Sequence, residues 1–406
     1  MGGSWWKHPI VKPEIGVFFP YGFLATSSQK AQNTDQNLKE KVRLPNTSSK
    51  NKCPKIERKF DRIMQASLAR AYYRYTMYRA GHRKYSLAVN NNRIPASFSY
   101  TEKGIRREGK PTIVFVHGIA SYKEGWMSIV KNISADHHCI TLDLPGHGQT
   151  IGLNEDVYTI DKFVEKLRMF FDEMELTEPM CIIGASMGSA IVCMFAVKYP
   201  GYVSMICLLA PIADKESETE LIHQLRAGVY HGLLPETPHQ LRQIINDLTV
   251  KRPYVPRPML NGLLHIKLRL LEEHKKILAS IFEHDYPKLE QEYEKLRNLT
   301  CPVLVLWGRQ DKVYSCTGVD LFRKLIRNLE YVIFEDCGHD MDVDQPEQTA
   351  GEILRFYDKH WNTPKNQTVQ NDRDNSIYRM YPNYNAGHPT SLSVNEINGI
   401  IVSSDF

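Results

Sequence analysis

A serine set between two glycines, a later carboxylate and a later histidine are the side chains in this sequence whose types and order suit acyl transfer. Gly184-Ala185-Ser186-Met187-Gly188 is a G-x-S-x-G run, following the apolar stretch Met180–Ile183 and preceding the helix-like Ala190–Val197. A tight strand-to-helix turn pushes its serine into strained dihedrals and leaves no room for side chains two residues away, which accounts for the flanking glycines. The hydroxyl then stands at a helix N-terminus. A neutral hydroxyl attacks poorly until a base takes its proton, and the base in turn needs a carboxylate to orient it. Asp311 ends Trp307-Gly308-Arg309-Gln310-Asp311, just past the apolar Pro302–Leu306, and His339 lies in Cys337-Gly338-His339, just past Tyr331–Phe334. We therefore read Ser186 as nucleophile, His339 as base and Asp311 as its orienting partner. Two backbone N–H groups on fixed turns suit the oxyanion that such an attack creates. They belong to Met187, directly after the nucleophile, and to Ile119, in His117-Gly118-Ile119 after the strand-like Thr112–Val116. A carboxylate at position 186 would have pointed to epoxide or haloalkane chemistry, and serine argues against both.

Residues so far apart in the chain meet only if each ends a strand at the same rim of one sheet. Short apolar runs alternate with helical patterns from about Ala96, the order of βαβ units in a mostly parallel sheet. The strand candidates are Ser97–Glu102, Thr112–Val116, Cys139–Leu142, Met180–Ile183, Met205–Leu209, Pro302–Leu306 and Tyr331–Phe334. Several are apolar throughout, as strands covered on both faces must be. Residues 212–300 interrupt the alternation with helical periodicity alone, which predicts a cap inserted before the strand that carries Asp311. Within it Leu221–Arg226, Pro238–Leu248, Met259–Glu283 and Lys288–Asn298 read as helices. The core is thus divided into 96–211 and 301–361, with a polar arm over 1–55 and a tail over 362–406 that are both expected to be disordered. The tail ends in Ser404-Asp405-Phe406, which permits a PDZ-ligand reading.

Charge is distributed unevenly: residues 1–110 hold 22 Lys and Arg against 7 Asp and Glu, and the remainder holds 29 against 39. Most of the ordered part of that basic third is a single segment, 56–95. Over 56–80 Phe60, Met64, Leu68, Ala71, Tyr75 and Tyr78 recur at three- and four-residue steps among arginines, predicting a basic amphipathic helix. Its tyrosines suit a membrane interface, and packing on the enzyme body is the rival reading. No zinc-finger, RNA-binding or helix-turn-helix pattern supports nucleic acid as a partner. Cys139, Cys181, Cys207 and Cys301 sit in or beside apolar runs as small hydrophobes, implying a reducing compartment, and no spacing suggests a metal site. Neither metal nor cofactor is expected. No signal peptide or spanning helix is read from the chain: Ile15–Ala25 is too short and holds Pro20 and Gly22.

His117-Gly118, Asp143-Leu144-Pro145-Gly146-His147-Gly148, the serine turn, Gly308-Arg309-Gln310-Asp311 and Gly338-His339 resemble the α/β-hydrolase superfamily in sequence and order over about 96–361. HGIASYKEGW at His117–Trp126, GASMG, WGRQDKV at Trp307–Val313 and the segment ARAYYRYTMYR are similar to its membrane-associated monoacylglycerol lipases, the member-six group of α/β-hydrolase-domain proteins. That resemblance implies an eight-stranded-type sheet and a serine hydrolase of monoacylglycerols, with lysophospholipids a further substrate class. It also implies a peripheral place on a cytosol-facing membrane, endomembrane or mitochondrial. The alternatives are a lysophospholipid acyltransferase, a carbon–carbon bond hydrolase and, outside catalysis, a membrane scaffold. His339-Asp340-Met341-Asp342-Val343-Asp344 contains a His-x4-Asp that resembles acyltransferase-like relatives, although an acidic turn in solvent is the simpler reading.

Overall fold

A computed structural model describes residues 54–91, 94–150, 152, 157–361 and 377–380. The expectations for the arm up to 53 and for most of the tail lie outside these residues. In chain order the elements open with helix α1 (Pro54–Arg79) and the strands β1 (Arg83–Asn91), β2 (Ile94–Lys103) and β3 (Ile113–Val116). Then come α2 (Met127–Val130), β4 (Cys139–Leu142), α3 (Ile160–Glu173), β5 (Met180–Ala185), α4 (Met187–Lys198) and β6 (Val203–Leu209). The cap consists of α5 (Glu220–Arg226), α6 (Pro238–Leu248), α7 (Arg257–Leu268), α8 (Leu271–His284) and α9 (Leu289–Glu294). The core resumes with β7 (Val303–Gly308), α10 (Val319–Leu325), β8 (Leu329–Phe334), α11 (Met341–Asp344) and α12 (Pro346–Trp361), and β9 (Ile377–Met380) follows.

One nine-stranded sheet runs β1-β2-β4-β3-β5-β6-β7-β8-β9, antiparallel at β1–β2 and β2–β4 and parallel at every later pairing. The central strands are apolar because helices cover both their faces: Ile113 to Val116 and Cys181 to Ile183 are all 0% exposed. Burying each such aliphatic side chain stabilises the fold by about 1.5–3 kcal/mol. Parallel pairing sends the carboxyl ends of β3, β5, β7 and β8 to one rim, where ligands of open α/β sheets are bound.

Four features depart from the sequence reading. The rest of the 56–95 segment, beyond the expected helix, is largely strand β1, which forms a hairpin with β2 from Arg83↔Glu102 to Asn91↔Ile94. Its basic, serine-containing alternation is that of a solvated edge strand. The second departure is β9, a short strand drawn from the tail and paired to β8. The third lies in the cap, where the single helix expected over Met259–Glu283 breaks at Arg269 and Leu270. No Gly or Pro marks the break. It lets α7 bury Met259, Leu260, Leu263 and Leu264 against α1 while α8 buries Ile277, Leu278 and Ile281 against the sheet's own core.

The fourth concerns α1, which lies on the cap. Ala69, Tyr72 and Tyr73 join α6 and α7 in a second apolar cluster, and the Tyr73 hydroxyl meets that of Tyr122. Of the tyrosines read as suiting an interface, Tyr72 and Tyr73 are buried, whereas Tyr75 and Tyr78 point outward with Met64 and Leu68, Tyr78 being 79% exposed. Small residues stand at the crossing point because the helices approach closely, Gly262 of α7 lying against the Gln65 carbonyl and the Ala69 methyl.

Seven cysteines are described and all are free thiols, among them Cys139, Cys181 and Cys207 inside the central strands. Among the described residues no helix is long and apolar enough to cross a membrane, and no group of His, Cys, Asp and Glu is placed to hold a metal ion.

Candidate active site

Ser186 is the residue between β5 and α4, with φ 53° and ψ −121°, a conformation that a side chain adopts only under strain. The turn is tight enough that a Cβ at Gly188 would fall on the Val116 and His117 carbonyl oxygens, and one at Gly184 on the Gly188 backbone. Glycine is therefore required at both positions, as the sequence reading held. Met187 supplies the first N–H of α4, which has no acceptor inside its own helix. The Ile119 N–H lies in the loop after β3 and engages no acceptor among the described residues. The next residue, Ala120, holds a positive φ of 53°. Buried His117 braces this loop, its Nδ1–H donating to the Gly118 carbonyl (2.7 Å) while Nε2 accepts the Leu144 N–H (3.0 Å). Burial pushes its pKa down to about 3, so the ring is neutral and can serve both bonds.

Asp311, after β7, is held rigidly. One of its oxygens accepts the Val313 and Tyr314 N–H groups (2.7 and 3.3 Å), and the other accepts Trp307 Nε1–H at 3.0 Å and His339 Nδ1–H at 2.9 Å. The carboxylate so fixes the imidazole tautomer, leaving Nε2 as the basic nitrogen. Burial disfavours the charged ring, yet the Asp311 charge and hydrogen bond, with Asp340 beside them, outweigh it and hold the His339 pKa above the ordinary histidine value. Ser186 and His339 line one cavity. Among the described residues no hydrogen bond joins the two side chains, the bond of His339 going to Asp311.

The acidic stretch after His339 is not a solvated turn. Asp344 is 0% exposed, and its carboxylate accepts N–H groups from Gly338 (2.8 Å), Val250 (2.8 Å) and Lys251 (2.9 Å). One side chain thus ties the loop of His339 to the cap segment after α6. Asp340 and Asp342 are half-buried and line the cavity, where burial pushes the Asp340 carboxyl up to about 6 and the Asp342 carboxyl well above its usual range. Sequence reasoning also passed over Lys267 of α7, whose Nζ donates to the Ala120 carbonyl at 2.8 Å and faces the same cavity. Nothing local distinguishes it from other cap lysines, since only the packing of α7 over the Ile119 loop brings it there.

Two spaces flank the serine. One, toward the base, carries His339, Lys267, Asp340 and Asp342 among its walls; the other, on the Met187 side, is built mainly of Ile212, Ile222, Leu225, Leu278 and Ile281. Such a site can form and hydrolyse an acyl-enzyme, with an apolar slot on one side and polar groups on the other.

Comparison with known proteins agrees with this chemistry. The α/β hydrolase fold family model matches residues 111–238. The human monoacylglycerol lipase ABHD6 is 29% identical over 281 residues, covering 67% of this chain and 82% of that protein. A Xenopus laevis monoacylglycerol lipase, abhd6-B, is 26% identical over 303 residues, 72% of this chain and 88% of its own. Among solved structures, a bacterial membrane phospholipase A superposes with a TM-score of 0.67 at 24% identity, over 76% of this chain and 96% of that one. The chain has the α/β hydrolase fold, and with relatives that span two thirds of its length it is a carboxylic ester hydrolase.

Proposed function

We propose that the chain hydrolyses monoacylglycerols through an acyl-enzyme on Ser186. The observation that carries this reading is a strained serine sharing one cavity with a histidine whose Nδ1–H is fixed by a buried carboxylate, beside an apolar slot. His339 takes the hydroxyl proton as Ser186 attacks the ester carbonyl, and the N–H groups of Ile119 and Met187 stabilise the oxyanion. Glycerol leaves with the proton from His339; the same ring then activates the water that releases the fatty acid, regenerating Ser186. The matched relatives named monoacylglycerol lipase support the substrate class. The buried, fully bonded Asp344 gives the His-x4-Asp pattern a structural part, so nothing at the site favours acyltransfer over hydrolysis. The test is stoichiometric labelling by a fluorophosphonate, abolished by Ser186→Ala, together with fatty acid release from monoacylglycerols, lysophospholipids and short esters. Monoacylglycerol turnover leads in the expected result; cleavage of short soluble esters alone would sink the lipase reading.

The same reading places the enzyme on a membrane surface, with α1 as the contact. Ile63, Met64, Leu68, Tyr75 and Tyr78 form an outward stripe beside Arg70 and Arg74, apolar at its centre and basic at its edge. Leu68→Glu with Tyr78→Glu is expected to release the protein from vesicles containing phosphatidylserine in a flotation assay. Undiminished flotation would remove α1 from the account.

A further inference from the structure

The leaving oxygen of the ester must receive its proton from His339, so the alcohol half of the substrate lies on the histidine's side of Ser186 and the acyl half on the other. The apolar space beside Met187 has no His339 in its walls. The space toward the base holds Lys267, Asp340 and Asp342 in otherwise largely apolar walls. These three groups have bonding capacity to spare. The Lys267 ammonium has three N–H donors, one of which serves the Ala120 carbonyl. Among the described residues no donor from another residue reaches the carboxyl oxygens of Asp340 or Asp342, which feel only nearby charges and, at Asp342, its own backbone N–H. All three face the cavity, so a ligand seated there can use their remaining donors and acceptors.

We propose that Lys267, Asp340 and Asp342 form a subsite that reads the free hydroxyls of the glycerol leaving group; this deepens the acylglycerol reading above and rests on it. A diol fits the three groups in both directions, its O–H groups donating to the two carboxyl groups and its oxygens accepting from the ammonium. A simple alkyl ester offers none of these bonds. A phosphodiester headgroup adds an anion beside two acidic side chains, and a quaternary ammonium has no N–H to donate. The subsite therefore selects uncharged polyol monoesters. Lys267 has a second part, because its cap helix is joined through it to the loop that carries the Ile119 N–H.

The experiment compares 1-oleoylglycerol, methyl oleate and 1-oleoyl lysophosphatidylcholine, each in the same mixed micelles, for the full chain and for Asp342→Asn, Asp340→Asn and Lys267→Met. Fluorophosphonate labelling of Ser186 certifies that each variant is folded and armed. The expected result is a wild-type kcat/KM that favours 1-oleoylglycerol over both other esters, and a glycerol-to-methyl selectivity lowered about tenfold or more in Asp342→Asn and Lys267→Met. A selectivity unchanged in all three variants, whether both activities fall together or neither moves, overturns the subsite while wild-type release of oleate from 1-oleoylglycerol leaves the acylglycerol reading standing. If the wild type does not cleave 1-oleoylglycerol, both fall.

Discussion

At the scale of single residues, the proposed mechanism makes the Asp311–His339 contact set the acid side of the activity profile. The ring must be neutral to act as base, and its pKa is held above 6.5 chiefly by Asp311, with a smaller push from Asp340. The acid limb of kcat/KM is therefore expected above pH 6.5. Asp340→Asn removes a negative charge near the ring and should move that limb toward lower pH; a pH–rate profile in which it moves upward or stays in place refutes the assignment. Asp311→Asn frees the tautomer as well as the charge, and a fall in kcat of about 10³–10⁴ is expected at neutral pH. Asp344→Ala strips three backbone N–H groups of their acceptor and should lower stability by about 3 kcal/mol, measurable by urea denaturation, with kcat falling because the Gly338–His339 loop loses its brace. That Ser186, Asp311 and His339 come together could be read because each follows an apolar run, and strand ends are where this topology gathers side chains. Lys267 and the inward aspartates were not, since a charge on a cap helix or in an acidic run is solvated unless a distant element covers it.

At the scale of elements, the central strands could be read because burial on both faces makes them apolar without interruption, and β4 begins and ends where its apolar run does. Helix α1 shows why amphipathicity alone misleads. The spacing of large apolar residues identified a helix but left open whether its stripe meets a membrane or the enzyme body; the face that packs is the other one, because close helix crossing selects alanine, glycine and tyrosine faces that carry less hydrophobic weight. That crossing can be tested directly. Gly262→Val would press a branched side chain into the Gln65 backbone, and overpacking of this kind costs about 1–3 kcal/mol. The expected outcome is a lower Tm and faster proteolysis within α1, with the sheet's own strands still protected from hydrogen exchange. The α7–α8 break was hidden for a related reason: two faces with different partners, rather than a helix-breaking residue, place it.

Over the whole molecule, buried neutral histidines set the response to acid. Burial pushes His82 and His117 down to about 3 and His274 to about 2, with His147 also far below its ordinary value. Above pH 6.5 the folded and unfolded chains both hold these rings neutral. Below it the unfolded chain takes up protons that the folded chain refuses, so stability is lost as pH falls. Each such ring steepens the loss by about 1.4 kcal/mol per pH unit. His339 has the opposite sign: its raised pKa adds stability below 6.5 that disappears as pH rises through the folded value. Three of these rings form a row, His117 edge-on to His147 and His147 stacked on His274, so the protons would enter where helix α8 of the cap meets the core. Chemical denaturation from pH 7.5 to 5 should show a progressive drop in unfolding free energy, flattened by His274→Gln or His147→Gln; a flat wild-type profile would contradict it. Asp344 adds a mechanical consequence. Because one carboxylate grips the cap just after α6 and the loop of the base together, that corner cannot part without disarming the catalyst. A cap that lifts to admit lipid must pivot there and swing at its far edge, as a door left on its hinge keeps the lock aligned.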